Sequence, residues 1–340
     1  MSASPYETLS SGICPWLQAP LLQLEAARVA GRLGHGWLLA GPRGVGKINL
    51  ALLAARRLLE GTDGDVRLLE AGEAATAMAE RHEPTDHHPD LHWAFPEPRR
   101  NTLTVEQIRE AAQALSLTSL TGQARVLVLE PADAMTTAAA NALLKTLEEP
   151  GANTYLLLIS HQPGRLPATI RSRCQSLSVR CPAGAEALTW LNGAGKDPGA
   201  VDWIPLLEAA RGVPFRAIDY HRSGFSNYYK ELETEFHKIS INRTDPQAVA
   251  DKWLAGDTEA ALSWLSARLQ SIIRVRLAPD CAGGRDLTSS DLWNAWKPFS
   301  TRFLFEQQKN AELLLGQLGG GINVELAVRA ILLGFRPKER

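Results

Sequence analysis

Gly41-Pro42-Arg43-Gly44-Val45-Gly46-Lys47 reads G-x-x-x-x-G-K, a spacing in which backbone N–H groups and a lysine ammonium close around phosphate oxygens. The next residue is Ile48, where the motif calls for a Ser or Thr hydroxyl to hold magnesium, so the phosphate grip is kept and the metal ligand is gone. A hydrolytic site of this kind also needs acidic residues at the end of a neighbouring strand, one to orient the metal and one to polarise the attacking water. The apolar run Val126-Leu127-Val128-Leu129 ends instead in Glu130-Pro131-Ala132-Asp133. Glu130 has the reach to touch a metal, but Pro131 carries nothing that could activate water. Loss of a general base alone costs about 10²- to 10⁴-fold in rate, so negligible intrinsic hydrolysis is expected. Gly41, Gly44, Gly46 and Lys47 remain as a degenerate nucleotide-binding set. No cofactor is required, and weak ATP or ADP binding is left open because the phosphate grip survives.

A second group of chemically capable residues lies in Thr169-Ile170-Arg171-Ser172-Arg173-Cys174. Two arginines around a serine read either as a solvated turn or as an arginine finger, a guanidinium offered to a phosphate across a subunit boundary. On the second reading Arg173 acts in trans, on the ATP of a neighbour.

These residues need a scaffold, and the apolar pattern supplies one. Trp37-Leu38-Leu39-Ala40 before the loop and the Leu- and Ala-rich stretch from Asn49 to Glu60 after it give strand, loop, helix. Further strands are expected at Leu91–Phe95, Val126–Leu129, Tyr155–Ile159 and Ser176–Val179. The two central runs are continuously apolar, as strands buried on both faces are. Thr104-Val105-Glu106-Gln107 is a capping box opening a helix to about Leu117. Thr137 is expected to cap a helix with Ala140, Leu143, Leu144 and Leu147 on one face, ended by Pro150. Strands alternating with helices predict a parallel sheet covered on both sides. Beyond Ala183 the pattern turns helical: short helices at Glu186–Asn192 and Ile204–Arg211, amphipathic stretches over Ala248–Leu277, and a stripe of Val324, Ala327, Val328, Ile331, Leu332 and Phe335 after a Gly319–Gly321 connection. Leu59–Asp90 is the most loop-like segment, and Trp253, Trp264, Trp293 and Trp296 read as core or interface rather than as base-stacking platforms.

The 340 residues are enough for two or three domains, and 45% apolar content supports packed cores. A formal charge of −1 gives no general footprint for nucleic acid. Cys14, Cys174, Cys181 and Cys281 show neither C-x-x-C spacing nor a disulfide framework, which fits a reducing cytoplasm. No signal peptide and no membrane span are read from the chain.

Asn141-Ala142-Leu143-Leu144-Lys145-Thr146-Leu147-Glu148-Glu149-Pro150, taken with Ser172-Arg173-Cys174, resembles the clamp-loader branch of the AAA+ superfamily. Within it the chain is most similar to the delta-prime family of bacterial DNA polymerase III. The likeness is strong from Trp16 to Pro182, moderate through Gly212–Arg216, and limited to helical character beyond. It implies an α/β P-loop (AAA+) parallel-sheet domain over residues 1–181, a small helical lid over 182–222 and an all-α C-terminal collar over 223–340. It implies further an accessory polymerase subunit that does not hydrolyse ATP itself. Such a subunit stands in a pentameric ring with the motor (gamma/tau) and delta subunits, and the ring loads the sliding clamp onto primed DNA. Arg173, within Ser172-Arg173-Cys174, matches the finger inserted into the adjacent motor's site, while Ser160 and Arg216 fall at the first and second sensor positions. One departure concerns zinc: many relatives carry a four-cysteine module before an H-P-D sequence, and here His88-Pro89-Asp90 is present without any cysteine between Leu50 and Pro89. His82, His87, His88 and His92 lack the spacing of a replacement site, so no zinc is expected. The competing reading is an active motor subunit of the same loader, with Ile48 and Pro131 replaced functionally by other groups. A P-loop nucleotide kinase is the third, and it lacks a recognisable acceptor site.

Overall fold

The computed structural model describes residues 14–59, 88–97, 102–119, 124–194, 201–222, 224–278, 291–318 and 323–336. Most of Leu59–Asp90, the Gly319–Gly321 connection, Cys281, His82 and His87 lie outside the described residues. The chain separates into two compact units, Met1–Ala200 and Val201–Arg340.

In the first unit five strands, β1 (Gly36–Ala40), β2 (Leu91–Ala94), β3 (Arg125–Leu129), β4 (Thr154–Ser160) and β5 (Gln175–Ser178), form one sheet in the order β2-β3-β4-β1-β5. Every pairing is parallel, with Leu38 opposite Leu158 and Leu127 opposite Leu156. Alternation decides which side chains meet which layer. Leu38, Leu127, Leu129, Leu156 and Leu158 point to one face, where they pack with Ile108 and Leu115 of α3 (Val105–Ser116) and Leu143 and Leu147 of α4 (Thr137–Glu148). On the other face Trp37 and Leu157 meet Leu21 and Leu24 of α1 (Gln18–Val29) and Ala54 of α2 (Lys47–Leu59). Both faces are thus covered, which is why β3 and β4 read as unbroken apolar runs.

The capping box opening α3 is present: Gln107 N–H donates to Thr104 Oγ1 and Thr104 N–H to Gln107 Oε1. For α4 the cap is Thr136, whose Oγ1 accepts from Ala139 N–H, rather than Thr137. Either threonine could cap; the choice is made by the backbone of Thr136, whose N–H donates to Leu103 O and so holds that residue extended. The last strand begins and ends one residue before the expected Ser176–Val179. A one-turn α5 (Ala168–Arg171) and α6 (Gly184–Ala194) complete the described helices of this unit.

The second unit is helical throughout its described residues: α7 (Trp203–Ala209), α8 (Pro214–Arg222), α9 (Phe225–Ser240), α10 (Pro246–Ala255), α11 (Thr258–Leu277), α12 (Asp291–Trp296), α13 (Thr301–Gln317) and α14 (Val324–Gly334). The expectation of long amphipathic stretches over Ala248–Leu277 fails for α11. That helix is buried on nearly every side, Ser263, Ser266 and Ser271 included, because α7, α10 and α13 all pack on it. The stripe of α14 is seen, with Val328, Ile331, Leu332 and the following Phe335 buried. Trp253, Trp264 and Trp296 are core residues, whereas Trp293 is half-buried with the Arg276 guanidinium 5.8 Å from its ring centroid. Among the described residues no helix is long and apolar enough to cross a membrane.

Candidate functional site

Parallel strands put their carboxyl ends on one edge of the sheet, and β1 sits between β4 and β5 where successive crossovers run to opposite sides. Such a switch point opens a crevice at that edge. The Gly41–Lys47 loop leaves β1 there, Glu130 ends β3, and Ser160 and His161 end β4. Gly44 (φ 83°) and Gly46 (φ 95°) take the left-handed backbone that a loop folding around an anion needs. Gly41 meets a different limit: a Cβ there would lie 2.2 Å from Val179 O. Lys47 opens α2 at its positive end.

The lysine is buried and spends its ammonium on its own loop, donating to Gly41 O and Pro42 O at 2.6 Å each. Burial pulls its pKa down to about 8, against the attraction of Glu130 and Asp133. Burial likewise pushes Glu130 up to about 7, with Lys47 and Arg43 opposing. Glu130 Oε1 lies 3.6 Å from His161 Nε2, while Glu130 Oε2 and His161 Nδ1 are buried without a hydrogen-bond partner among the described residues. His161 is itself lowered to about 4, chiefly by burial, and stays neutral. Pro131 is the N-cap of a short 3-10 turn, Ala132–Ala134, and Ile48 is half-buried in the first turn of α2. The expected phosphate-loop residues Gly41, Gly44, Gly46 and Lys47 thus lie together at the end of β1, with Ile48 after Lys47 and Pro131 after Glu130.

Ser160, the expected first sensor, is fully buried and donates its hydroxyl to Asp133 Oδ1 at 2.7 Å; the same oxygen accepts His161 N–H at 2.7 Å. Burial raises the Asp133 pKa, but these hydrogen bonds outweigh it and the carboxyl stays below its ordinary value. A group depressed in this way stabilises the fold above its unfolded value, near pH 4, and loses that contribution as pH falls through its lower folded value. Asp133→Ala, which orphans two donors, is expected to lower the unfolding free energy by about 1–3 kcal/mol. Urea titrations should show the same gap at pH 7 and pH 5 and a shrinking one below pH 4. A gap that stays constant down to pH 3 would contradict this role.

Arg216, the expected second sensor, donates from Nε to Tyr220 Oη at 2.8 Å and pairs with Glu259 at 3.1 Å, all within the second unit. Arg173 is exposed at the surface, and Ser172 beside it donates to Thr169 O. Cys174 packs against the core under α4, and burial pushes its thiol up to about 11, so it anchors the motif rather than reacting. Gly36 is tight for a reason: a Cβ there would lie 2.9 Å from Leu147 Cδ2 and 3.2 Å from Arg173 O. Sequence reading passed over Asp133, His161 and Trp16, whose roles depend on partners far along the chain. Trp16 donates to Val45 O of the loop at 2.8 Å, and its ring packs edge-on against Trp190 of α6. Among the described residues no cluster of three or more His, Cys, Asp or Glu side chains is placed to hold a metal ion.

Residues 18–182 match a family model described as DNA polymerase III, delta subunit. DNA polymerase III subunit delta' of Pseudomonas aeruginosa is 34% identical over 277 residues, 80% of this chain and 80% of its own length. The subunit of the same name from Yersinia pestis is 32% identical over 267 residues, covering 76% of each chain.

Proposed function

The chain belongs to the DNA polymerase III delta-prime family, and from that premise we propose that it is the ATP-silent member of a cytoplasmic clamp loader. It stands in a pentameric ring with motor (gamma/tau) and delta subunits, and the ring places the sliding clamp on primed DNA. The three-part division at 181/182 and 222/223, with lid and collar after the P-loop domain, is part of this reading. One observation carries the silence. Lys47 is folded onto its own loop, facing a buried Glu130, and the position after Glu130 is a proline, which has no group to polarise an attacking water. A bound phosphate would compete with the two loop carbonyls that Lys47 now holds, and no bound cofactor is needed for the role proposed.

The contribution to hydrolysis is instead Arg173, which is permanently charged, exposed, and held between two core anchors, Ile170 and Cys174. The purified chain is expected to turn over no ATP above background, with or without primed DNA. Lys47→Ala is expected to leave hydrolysis by the reconstituted ring unchanged. Turnover by the isolated chain that Lys47→Ala abolishes would instead favour an active motor subunit.

A further inference from the structure

The exposed guanidinium of Arg173 is not loose. Its Nη2 meets Glu148 Oε1 at 2.6 Å and its Nη1 donates to Thr169 O at 3.1 Å. Among the described residues the fork commits one N–H to a hydrogen bond and sets its other amino nitrogen against the Glu148 carboxylate as an ion pair, which leaves donors for an incoming oxygen. Both braces are themselves fixed. Glu148 is the last residue of α4, whose preceding Leu147 is buried in the core and gives its carbonyl to His35 Nε2 at 2.7 Å. Pro150 then prevents the helix from continuing. Thr169 lies on the single turn of α5, which Ile170 pins into the same core.

We propose that Glu148 is a positioning residue for Arg173, holding the guanidinium plane so that its remaining donors face outward at a fixed place. The inference rests on the reading of Arg173 as a finger in trans and adds the group that aims it. Arginine otherwise has several rotatable bonds to freeze when a phosphate arrives, and a braced fork loses less freedom per hydrogen bond formed. At 37% and 49% side-chain exposure the pair remains accessible and screened by solvent, so its value to folding is small. Its value lies in geometry, where a misplacement of about 1 Å can cost up to about 10²-fold in rate.

The test is a four-member cycle in the reconstituted ring: wild type, Glu148→Ala, Arg173→Ala and the double variant, each assayed for kcat and KM of ATP hydrolysis. Glu148→Ala is expected to lower kcat about tenfold with KM unchanged, and to have no further effect once Arg173 is gone. Glu148→Gln, which keeps an acceptor oxygen at the same reach, should recover most of that loss and guards against a folding defect in the alanine variant. If Arg173→Ala does not slow the ring, the finger reading itself falls. If Arg173→Ala slows it but Glu148→Ala does not, or does so equally without Arg173, the positioning role is overturned while the finger stands. A faster Glu148→Ala ring would also overturn it, marking the carboxylate as a restraint.

Discussion

Arg173→Ala is expected to slow ATP hydrolysis at the site that receives this residue by about 10³- to 10⁵-fold, in a ring that still assembles. The size follows from the chemistry: phosphoryl transfer spreads negative charge over the transferring oxygens, and a guanidinium supplied from outside neutralises it without a proton in flight. Assembly should survive because Arg173 is exposed and its ion pair with Glu148 is solvent-screened. Cys174 and Ile170, which carry the local packing, are untouched. Lysine at this position should rescue poorly, since a point charge cannot hold Glu148, Thr169 O and phosphate together as a fork does. The readout is single-turnover hydrolysis by the assembled loader.

Phe236→Ala is expected to lower the unfolding free energy of the helical unit by about 3–5 kcal/mol. Phe236 is fully buried at the centre of an aromatic cluster, with ring centroids at 4.8 Å from Phe335, 5.2 Å from Trp296, 5.6 Å from Trp264 and 6.1 Å from Trp253. Four rings drawn from α10, α11, α12 and the end of α14 thus converge on one side chain of α9. Trp296 Nε1 is satisfied by Ser240 Oγ at 2.9 Å, and that hydroxyl donates to Phe236 O at 3.0 Å, so the cluster carries its own polar fastening. A loss of this size is a large share of the roughly 5–15 kcal/mol that folded domains have. Guanidinium unfolding followed by tryptophan fluorescence measures it; a shift below about 1 kcal/mol would mean that the cluster is not the keystone of this unit.

The sheet was legible because β3 and β4 sit between two helical layers, which makes every residue of Val126–Leu129 and Leu156–Ile159 apolar. The phosphate loop was legible because glycine and lysine spacing is local. What local pattern could not show is which polar residue meets which. Asp133 reads as one more acid after Pro131, yet its partners Ser160 and His161 belong to another strand end, and only β3–β4 pairing brings them together. Likewise α11 looks amphipathic because Ser263, Ser266 and Ser271 interrupt its apolar positions, and it is buried because helices surround it. Glu148 stood inside a recognised motif without a role until Arg173 was seen against it.

The proposed division of labour between a silent phosphate loop and an exported arginine is tested most directly in one experiment. ATP hydrolysis by the complete loader on primed DNA is compared for this subunit as wild type, Lys47→Ala and Arg173→Ala. The account predicts wild-type rates with Lys47→Ala and a collapse with Arg173→Ala. A loader that tolerates Arg173→Ala but fails with Lys47→Ala would contradict it.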